Sequence, residues 1–126
     1  MKEIWTDVIG YEGLYKVSTW GRIKNKDGDL LTPYRNHKGY LKVGLMRNGI
    51  NSKHRVHRIV AKTFIPNTAG YSEVNHKDGN KENNSVTNLE WVSGNRNREY
   101  ESEFQLKVHF DAWLCQMIAA VENKAE

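Results

Sequence analysis

The stretch "EVNHKDGNKENNSVTNLEWVSGNRNREY", residues 73–100, joins two short segments of strand-forming residues through a loop rich in asparagine. The segments "SEVNH" (72–76) and "NLEWVS" (88–93) are typical of strands, and Asn, Asp and Gly in the intervening "KDGNKENNSVT" favour turns. Ser93 is a candidate N-cap for a following helix. The stretch therefore predicts a hairpin with an enlarged connection, followed by a helix.

Four side chains of this stretch form a candidate hydrolytic site. His76 can act as a general base, because a neutral imidazole with an unperturbed pKa of about 6.5 accepts a proton from water. Asn88 could hydrogen-bond across the loop and hold the strand of His76 in place. Asn75 and Asn97 offer carboxamide oxygens to a hard cation such as magnesium. Such a cation would face a scissile phosphate and stabilise the charge that develops on it.

The remaining polar residues of the loop have simpler interpretations. Turn chemistry accounts for Asn80, Asn83 and Asn84, whose expected role is to shape the loop and satisfy its backbone. Asp78 lies in "KDGN", which is an ordinary turn sequence, although an indirect contribution to a metal site stays open.

Length and composition limit the class of protein. The chain has 126 residues, of which 38% are hydrophobic and 27% charged, so we expect one compact body with much polar surface. No apolar run approaches the roughly 20 residues that a membrane span needs. The first residues resemble no signal peptide and Cys115 is the single cysteine, so a cytoplasmic location is expected.

Positive charge is concentrated in the N-terminal half. Residues 1–65 carry 13 basic and 5 acidic groups, whereas residues 66–100 carry 4 and 5, and residues 101–126 carry 2 and 5. This asymmetry is typical of a surface that neutralises phosphates.

The N-terminal half alternates short β-forming segments with turn sequences. Asn or Asp combines with Gly at residues 25–29, 36–40 and 47–51, which predicts tight hairpin turns. We expect a small antiparallel sheet with a basic face. Lys16, Arg22, Lys24, Lys42 and Arg47 could project from this face, and the last four are its candidate nucleic-acid contacts.

Hydrophobic periodicity changes to helical spacing from Arg55 onward. The segment "RVHRIVAKTFIPN" places Val56, Ile59, Val60 and Phe64 on one face, and Pro66 predicts that the helix ends before it. His57 and Arg58 on this helix would either brace the core or touch phosphate. The C-terminal stretch that begins at Ser93 is also predicted to be helical, and its part at residues 101–126 would pack on the body or form a dimer interface.

The run "HRVHRIVAKTFIPN…EVNHKDGNKENNSVTNLEWVSGNRN" resembles the HNH nuclease domain of phage and intron-encoded homing endonucleases, which has the ββα-metal fold. Ahead of it, "EIWTDVIGYEGLYKVSTWGRIKN" resembles the short module that commonly precedes such domains. The resemblance implies an α+β protein with a DNA-binding β-rich module at residues 1–54, an HNH nuclease core at 55–100 and a C-terminal helix at 101–126.

Roles carried over by position complete the hypothesis. The resemblance implies that His76 is the general base, that Asn88 supports it, and that Asn75 and Asn97 bind one Mg²⁺ or Mn²⁺ ion. Many family members have Asp where this chain has Asn75 and His where it has Asn97. Two neutral carboxamides should hold the ion weakly until substrate phosphate completes its shell. The candidate DNA contacts in this part of the chain are Arg55, Arg58, Arg96 and Arg98.

The implied function is a metal-dependent DNA endonuclease of phage or mobile-element type, acting on double-stranded DNA in the cytoplasm of a host cell. A monomer would nick one strand, whereas a homodimer formed through the C-terminal helix would cut both. The alternative is a DNA-binding module of weak or lost activity that descends from such a nuclease.

Overall fold

The computed structural model describes residues 2–93. Within this range the chain forms eight strands, one α-helix and one 3₁₀ turn. In chain order they are β1 (Trp5–Asp7), β2 (Tyr15–Ser18), β3 (Ile23–Asn25), β4 (Tyr34–Arg35), β5 (Leu41–Arg47), β6 (Ile50–Arg55), α1 (Val56–Phe64), β7 (Glu73–His76), the 3₁₀ turn (Val86–Asn88) and β8 (Leu89–Val92).

The N-terminal half builds two antiparallel sheets where the sequence predicted one. Strands β1, β2 and β3 form the first sheet, and β4, β5 and β6 form the second. The predicted turns at 25–29, 36–40 and 47–51 are all present, and Gly28, Gly39 and Gly49 each have a positive φ. Strands β3 and β4 do not pair with each other, so the two sheets are separate.

Helix α1 follows β6 directly and ends where the sequence predicted. The backbone turns from extended to helical at Arg55, and Ile65, the residue before Pro66, returns to extended geometry. The buried face of α1 includes Val56, Val60 and Phe64. No helix in the described part of the chain is long and apolar enough to cross a membrane.

The third sheet is the predicted hairpin of β7 and β8. Its register pairs Val74 with Trp91, Asn75 with Glu90, and His76 with Leu89. The hydrophobic core joins all three sheets to α1, and its members include Val17, Leu45, Val60, Phe64 and Leu89. The predicted C-terminal helix at 101–126 lies outside the described residues.

Candidate active site

His76 lies at the end of β7, where the strand enters the loop of the hairpin. Its side chain is buried, and its Nε2 atom lies 2.7 Å from the Oδ1 atom of Asn84. An amide oxygen only accepts hydrogen bonds, so Nε2 carries a proton and donates a hydrogen bond to Asn84. This tautomer leaves the lone pair on Nδ1, which is the nitrogen that can act as a base.

Asn84 is a residue of the site that sequence reasoning assigned to turn chemistry alone, and that assignment was wrong. Asn84 is buried, with 4% of its surface exposed, whereas Asn80 in the same loop is exposed. No local pattern distinguishes the two asparagines. Only the path of the loop, which turns residue 84 inward, separates them.

The first sheet fixes the position of Asn84. Gly21, between β2 and β3, approaches Asn84 so closely that a Cβ atom at residue 21 would lie 2.6 Å from the Asn84 carbonyl oxygen. Val86 then donates a backbone hydrogen bond of 2.9 Å to the carbonyl oxygen of Thr19. The N-terminal module therefore contacts the backbone of the loop that carries Asn84, the hydrogen-bond partner of His76.

Asn88 connects the two ends of the loop. Its Nδ2 atom donates to the Oδ1 atom of Asp78 (2.9 Å) and to the carbonyl oxygen of Asn83 (2.8 Å). Its Oδ1 atom accepts from the backbone N–H of Asp78, and its carbonyl oxygen accepts from that of Lys77. These bonds span the hairpin immediately after His76, as a bracing role for Asn88 requires.

The carboxylate of Asp78 stabilises the loop by accepting hydrogen bonds from three of its residues. Its Oδ1 atom accepts from the Asn80 N–H as well as from Asn88, and its Oδ2 atom accepts from Nδ2 of Asn83. The hydrogen bond from Asn83 is the largest cause that lowers the pKa of the Asp78 carboxyl, followed by those from Asn80 and Asn88. These contacts favour the ordinary turn interpretation of "KDGN".

Asn75 precedes His76 on β7 and its side chain is exposed. Its Nδ2 atom donates a 3.0 Å hydrogen bond to the Oε1 atom of Glu90, directly opposite on β8. Among residues 2–93, no group donates a hydrogen bond to the Oδ1 atom of Asn75. An accessible amide oxygen beside a carboxylate fits the oxygen preference of Mg²⁺ or Mn²⁺. Asn97, the second predicted ligand, lies outside the described residues.

Three rings pack together behind the hairpin. The ring of His57 stacks on Tyr40 with centroids 4.9 Å apart, and its other neighbour is His76, also at 4.9 Å. Burial lowers the pKa of His57 to about 3, with smaller contributions from His76, Arg58 and Arg55. His57 is therefore neutral near pH 7, and of the two roles predicted for it the buried position favours bracing the core.

A basic groove of about 460 Å³ runs along the outer side of α1. We define the basic groove by its basic side chains, which are Lys42, Lys53, His54, Arg55, Arg58 and Lys62. Burial lowers the pKa of His54, and the charges of Lys62 and Lys42 lower it further. Within the described range, none of the groove's lysines and arginines pairs with a carboxylate. The groove is thus a concentrated positive surface.

The predicted DNA-contacting residues divide into separate groups. Lys42, Arg55 and Arg58 meet in the basic groove, which also contains two lysines that the sequence did not single out. Arg22 instead forms an ion pair with Glu3 on the first sheet, where Lys24 lies over the ring of Trp5. Arg47 donates to the carbonyl oxygen of Gly10. Arg96 and Arg98 lie outside the described residues.

The basic groove adjoins the three packed rings of Tyr40, His57 and His76 through Arg55. The guanidinium carbon of Arg55 lies 5.7 Å from the centroid of the Tyr40 ring, which in turn stacks on His57. Arg58 donates to the carbonyl oxygen of Ser72, just before β7. Arg55, at the end of β6, and Arg58, on α1, therefore connect the groove to the surroundings of His76.

Comparisons with known proteins match both halves of the chain. Residues 3–46 match the NUMOD4 motif, and residues 54–99 match a family described as HNH endonuclease. DNA endonuclease I-HmuI of Bacillus phage SP01 is 40% identical over 125 residues, which are 95% of this chain and 68% of that protein.

Two further relatives are matched over less of their length. An uncharacterized HNH endonuclease, L245, of Acanthamoeba polyphaga mimivirus is 37% identical over 83% of this chain and 33% of its own. H-N-H endonuclease F-TflII of Escherichia phage T5 is 36% identical over 60% of this chain and 40% of its own.

A solved structure has the same fold. The structure is of the HNH homing endonuclease I-HmuI and is described as showing DNA binding and cleavage by that protein. The present chain superposes on it with a TM-score of 0.69 at 36% sequence identity. The superposition covers 95% of this chain and 68% of that one. The predicted fold class, an N-terminal antiparallel sheet followed by an HNH core, is thereby confirmed.

Proposed function

The chain belongs to the HNH endonuclease family, and on that premise we propose that it hydrolyses phosphodiester bonds in double-stranded DNA with the help of one divalent metal ion. The observation that carries this proposal is the pairing of His76 with Asn84. It directs one imidazole nitrogen into the protein and leaves the other as the base.

His76 is the general base of the proposed reaction. Its Nδ1 atom takes a proton from the water molecule that attacks phosphorus, while Nε2 keeps its own proton in the hydrogen bond to Asn84. As the new P–O bond forms, the bond between phosphorus and the leaving oxygen breaks, and that oxygen takes up a proton from solvent. Asn88 maintains the loop geometry around His76 through its bonds to Asp78 and Asn83. The ring of His57, neutral near pH 7, packs against His76 and limits the positions that the ring can take.

Asn75 and Asn97 are the residues proposed to hold the metal ion. A bound Mg²⁺ or Mn²⁺ would stabilise the negative charge that develops on the phosphate in the transition state. The oxygen of Asn75 is accessible, and the buried carboxylate of Glu90 lies beside it.

Double-stranded DNA is the proposed partner. The five lysines and arginines of the basic groove suit a sugar-phosphate backbone, because each contact with a phosphate releases counterions. Backbone contacts position a protein on DNA without reading its sequence, so they predict affinity and orientation, not specificity. Arg96 and Arg98 remain proposed contacts beside the cut, and the setting would be the cytoplasm of a cell that hosts a phage or mobile element.

Incubation of supercoiled plasmid with the protein and Mg²⁺ or Mn²⁺ tests the proposal. We expect open-circular product from a monomer, linear product if a homodimer cuts both strands, and neither with EDTA. His76→Ala should abolish cutting, whereas His37→Ala, which removes an exposed histidine from the turn at 36–40, should not.

The competing function is DNA binding without cleavage. If wild type and His76→Ala both leave the plasmid intact while both retard it in a gel, the protein is a binding module. Light scattering after size exclusion, with linear-product formation measured against protein concentration, distinguishes the monomer from the homodimer.

A further inference from the structure

Glu90 is a buried carboxylate on the strand that faces the proposed metal ligand. It lies directly opposite Asn75 in the β7–β8 register, and its side chain is 4% exposed. Buried carboxylates are rare unless other groups hold them, because desolvation penalises the charge. The side chain of Asn75 supplies one such contact through its Nδ2 atom, at 3.0 Å from Oε1 of Glu90.

The contact removes the rotational ambiguity of the Asn75 amide. A carboxamide has a donor end and an acceptor end, and only its oxygen binds a hard cation. Since the donor end is directed at Glu90, the Oδ1 atom is directed away from it. No donor among residues 2–93 bonds to Oδ1, so the oxygen is available.

We propose that Glu90 is a positioning residue that orients Asn75, so that the Oδ1 atom of Asn75 faces a divalent cation, and that its carboxylate supplies the negative charge that the neutral ligand lacks. This inference rests on the proposed function. A hydrogen bond from an amide to a carboxylate polarises the amide and increases the negative charge on its oxygen. Glu90 and Asn75 together therefore act as a ligand with carboxylate character, although a carboxamide touches the ion.

The arrangement has the form of known metal sites, in which a group behind the ligand fixes its orientation and raises its basicity. Loss of such a supporting group typically weakens metal affinity about 10- to 100-fold. We expect Glu90→Gln to weaken binding of Mn²⁺ within that range, measured from the spectrum of free Mn²⁺ by electron paramagnetic resonance on the full chain. The matched control is Glu12→Gln, which removes an exposed carboxylate that accepts from the Gly10 N–H.

The double variant Asn75→Asp with Glu90→Gln provides a rescue. In this pair the amide at residue 90 donates and the carboxylate at residue 75 accepts, so the hydrogen bond is kept with reversed polarity. The charge then resides on the ligand itself. Mn²⁺ affinity should return to the wild-type value or exceed it, and the double variant should bind Mn²⁺ more tightly than Glu90→Gln alone.

Nuclear magnetic resonance of the wild type gives a second measurement that needs no variant to fold. The side-chain amide protons of Asn75 should resonate downfield of ordinary asparagine amides, and Mn²⁺ should broaden them first. Absence of either effect overturns the proposal, as does wild-type Mn²⁺ affinity in a folded Glu90→Gln variant. If that variant keeps its affinity while wild type still nicks plasmid, only this inference fails. If wild type neither binds Mn²⁺ nor nicks, the proposed function fails with it.

Discussion

The Nε2 atom of His76 and the Oδ1 atom of Asn84 lie 2.7 Å apart, although eight residues and the whole asparagine-rich loop separate them in the chain. Both side chains are buried. The pair sets the tautomer of the proposed base, so its removal should affect the rate of the reaction more than the fold.

Asn84→Ala should lower the rate of plasmid nicking at least about tenfold, but by less than the roughly 10²- to 10⁴-fold that a general base contributes. The loss arises because the imidazole no longer has an acceptor that selects its orientation. Asn84→Asp, which keeps an acceptor, should retain more activity than Asn84→Ala. Asn80→Ala serves as the control in the same loop. Equal activity of Asn84→Ala and wild type would remove Asn84 from the site.

Gly21→Ala should reduce nicking by displacing Asn84. Gly21 has a φ of +84°, where an L side chain costs about 1–2 kcal/mol, and the new Cβ would meet the carbonyl oxygen of Asn84 at 2.6 Å. Urea denaturation measures the cost in stability and a plasmid assay measures the activity. Gly10→Ala is the control, because Gly10 has a similar φ of +86° but open space around it. Equal activity of the two variants would show that the contact with Asn84 is unimportant.

The buried ring of His57 should make the protein less stable in mild acid. Its pKa is about 3 in the folded chain and about 6.5 when unfolded, so between these values only the unfolded chain takes up the proton. The free energy of unfolding should therefore fall as pH falls below 6.5, by about 1.4 kcal/mol per pH unit. From pH 7.5 to pH 5 the expected loss is about 2 kcal/mol.

His57→Phe should flatten this dependence, because phenylalanine can keep the stacking on Tyr40 and takes up no proton. Urea titrations between pH 5 and 7.5 measure the slope. A smaller slope should remain in the variant, since the pKa of His54 is also lowered. The carboxyls with lowered pKa, Glu3, Glu12 and Asp78, lose their contribution only at lower pH. An unchanged slope in His57→Phe would contradict the assignment.

The basic groove should determine the salt dependence of DNA binding. Each phosphate contact contributes about 0.9 to the slope of log K against log salt concentration on B-form DNA. Lys53→Gln with Lys62→Gln should therefore reduce the slope by up to about 1.8 if both side chains contact phosphate. Fluorescence anisotropy with a duplex oligonucleotide at several salt concentrations measures it. Lys26→Gln, an exposed lysine in the turn at 25–29, is the control. A slope that the double variant leaves unchanged would place the DNA elsewhere.

Local patterns were sufficient to predict the β7–β8 hairpin, the end of α1 and the family. Alternation and turn residues predicted the β7–β8 hairpin, and Pro66 predicted the end of α1, because turn geometry and proline restrict the backbone over only a few residues. The motifs "VNHKDGNKENN" and "TNLEWVS" identified the HNH family, which the comparisons confirm. The predicted roles of His76, Asn75 and Asn88 stay predictions, as do those of Asn97, Arg96 and Arg98 beyond the described residues.

The sequence by itself determined the chemical character of the site, because His76 and its neighbouring asparagines are the groups available in that hairpin. Tertiary structure alone decided which of them act together. Asn84 is buried whereas Asn80 is exposed, and the connection between β2 and β3 contacts the loop there through Gly21 and Thr19. Glu90 meets Asn75 only through the strand register, and the groove cations converge only after α1 packs on the second sheet. Such contacts depend on distances between residues far apart in the chain, and local propensity contains no information about them.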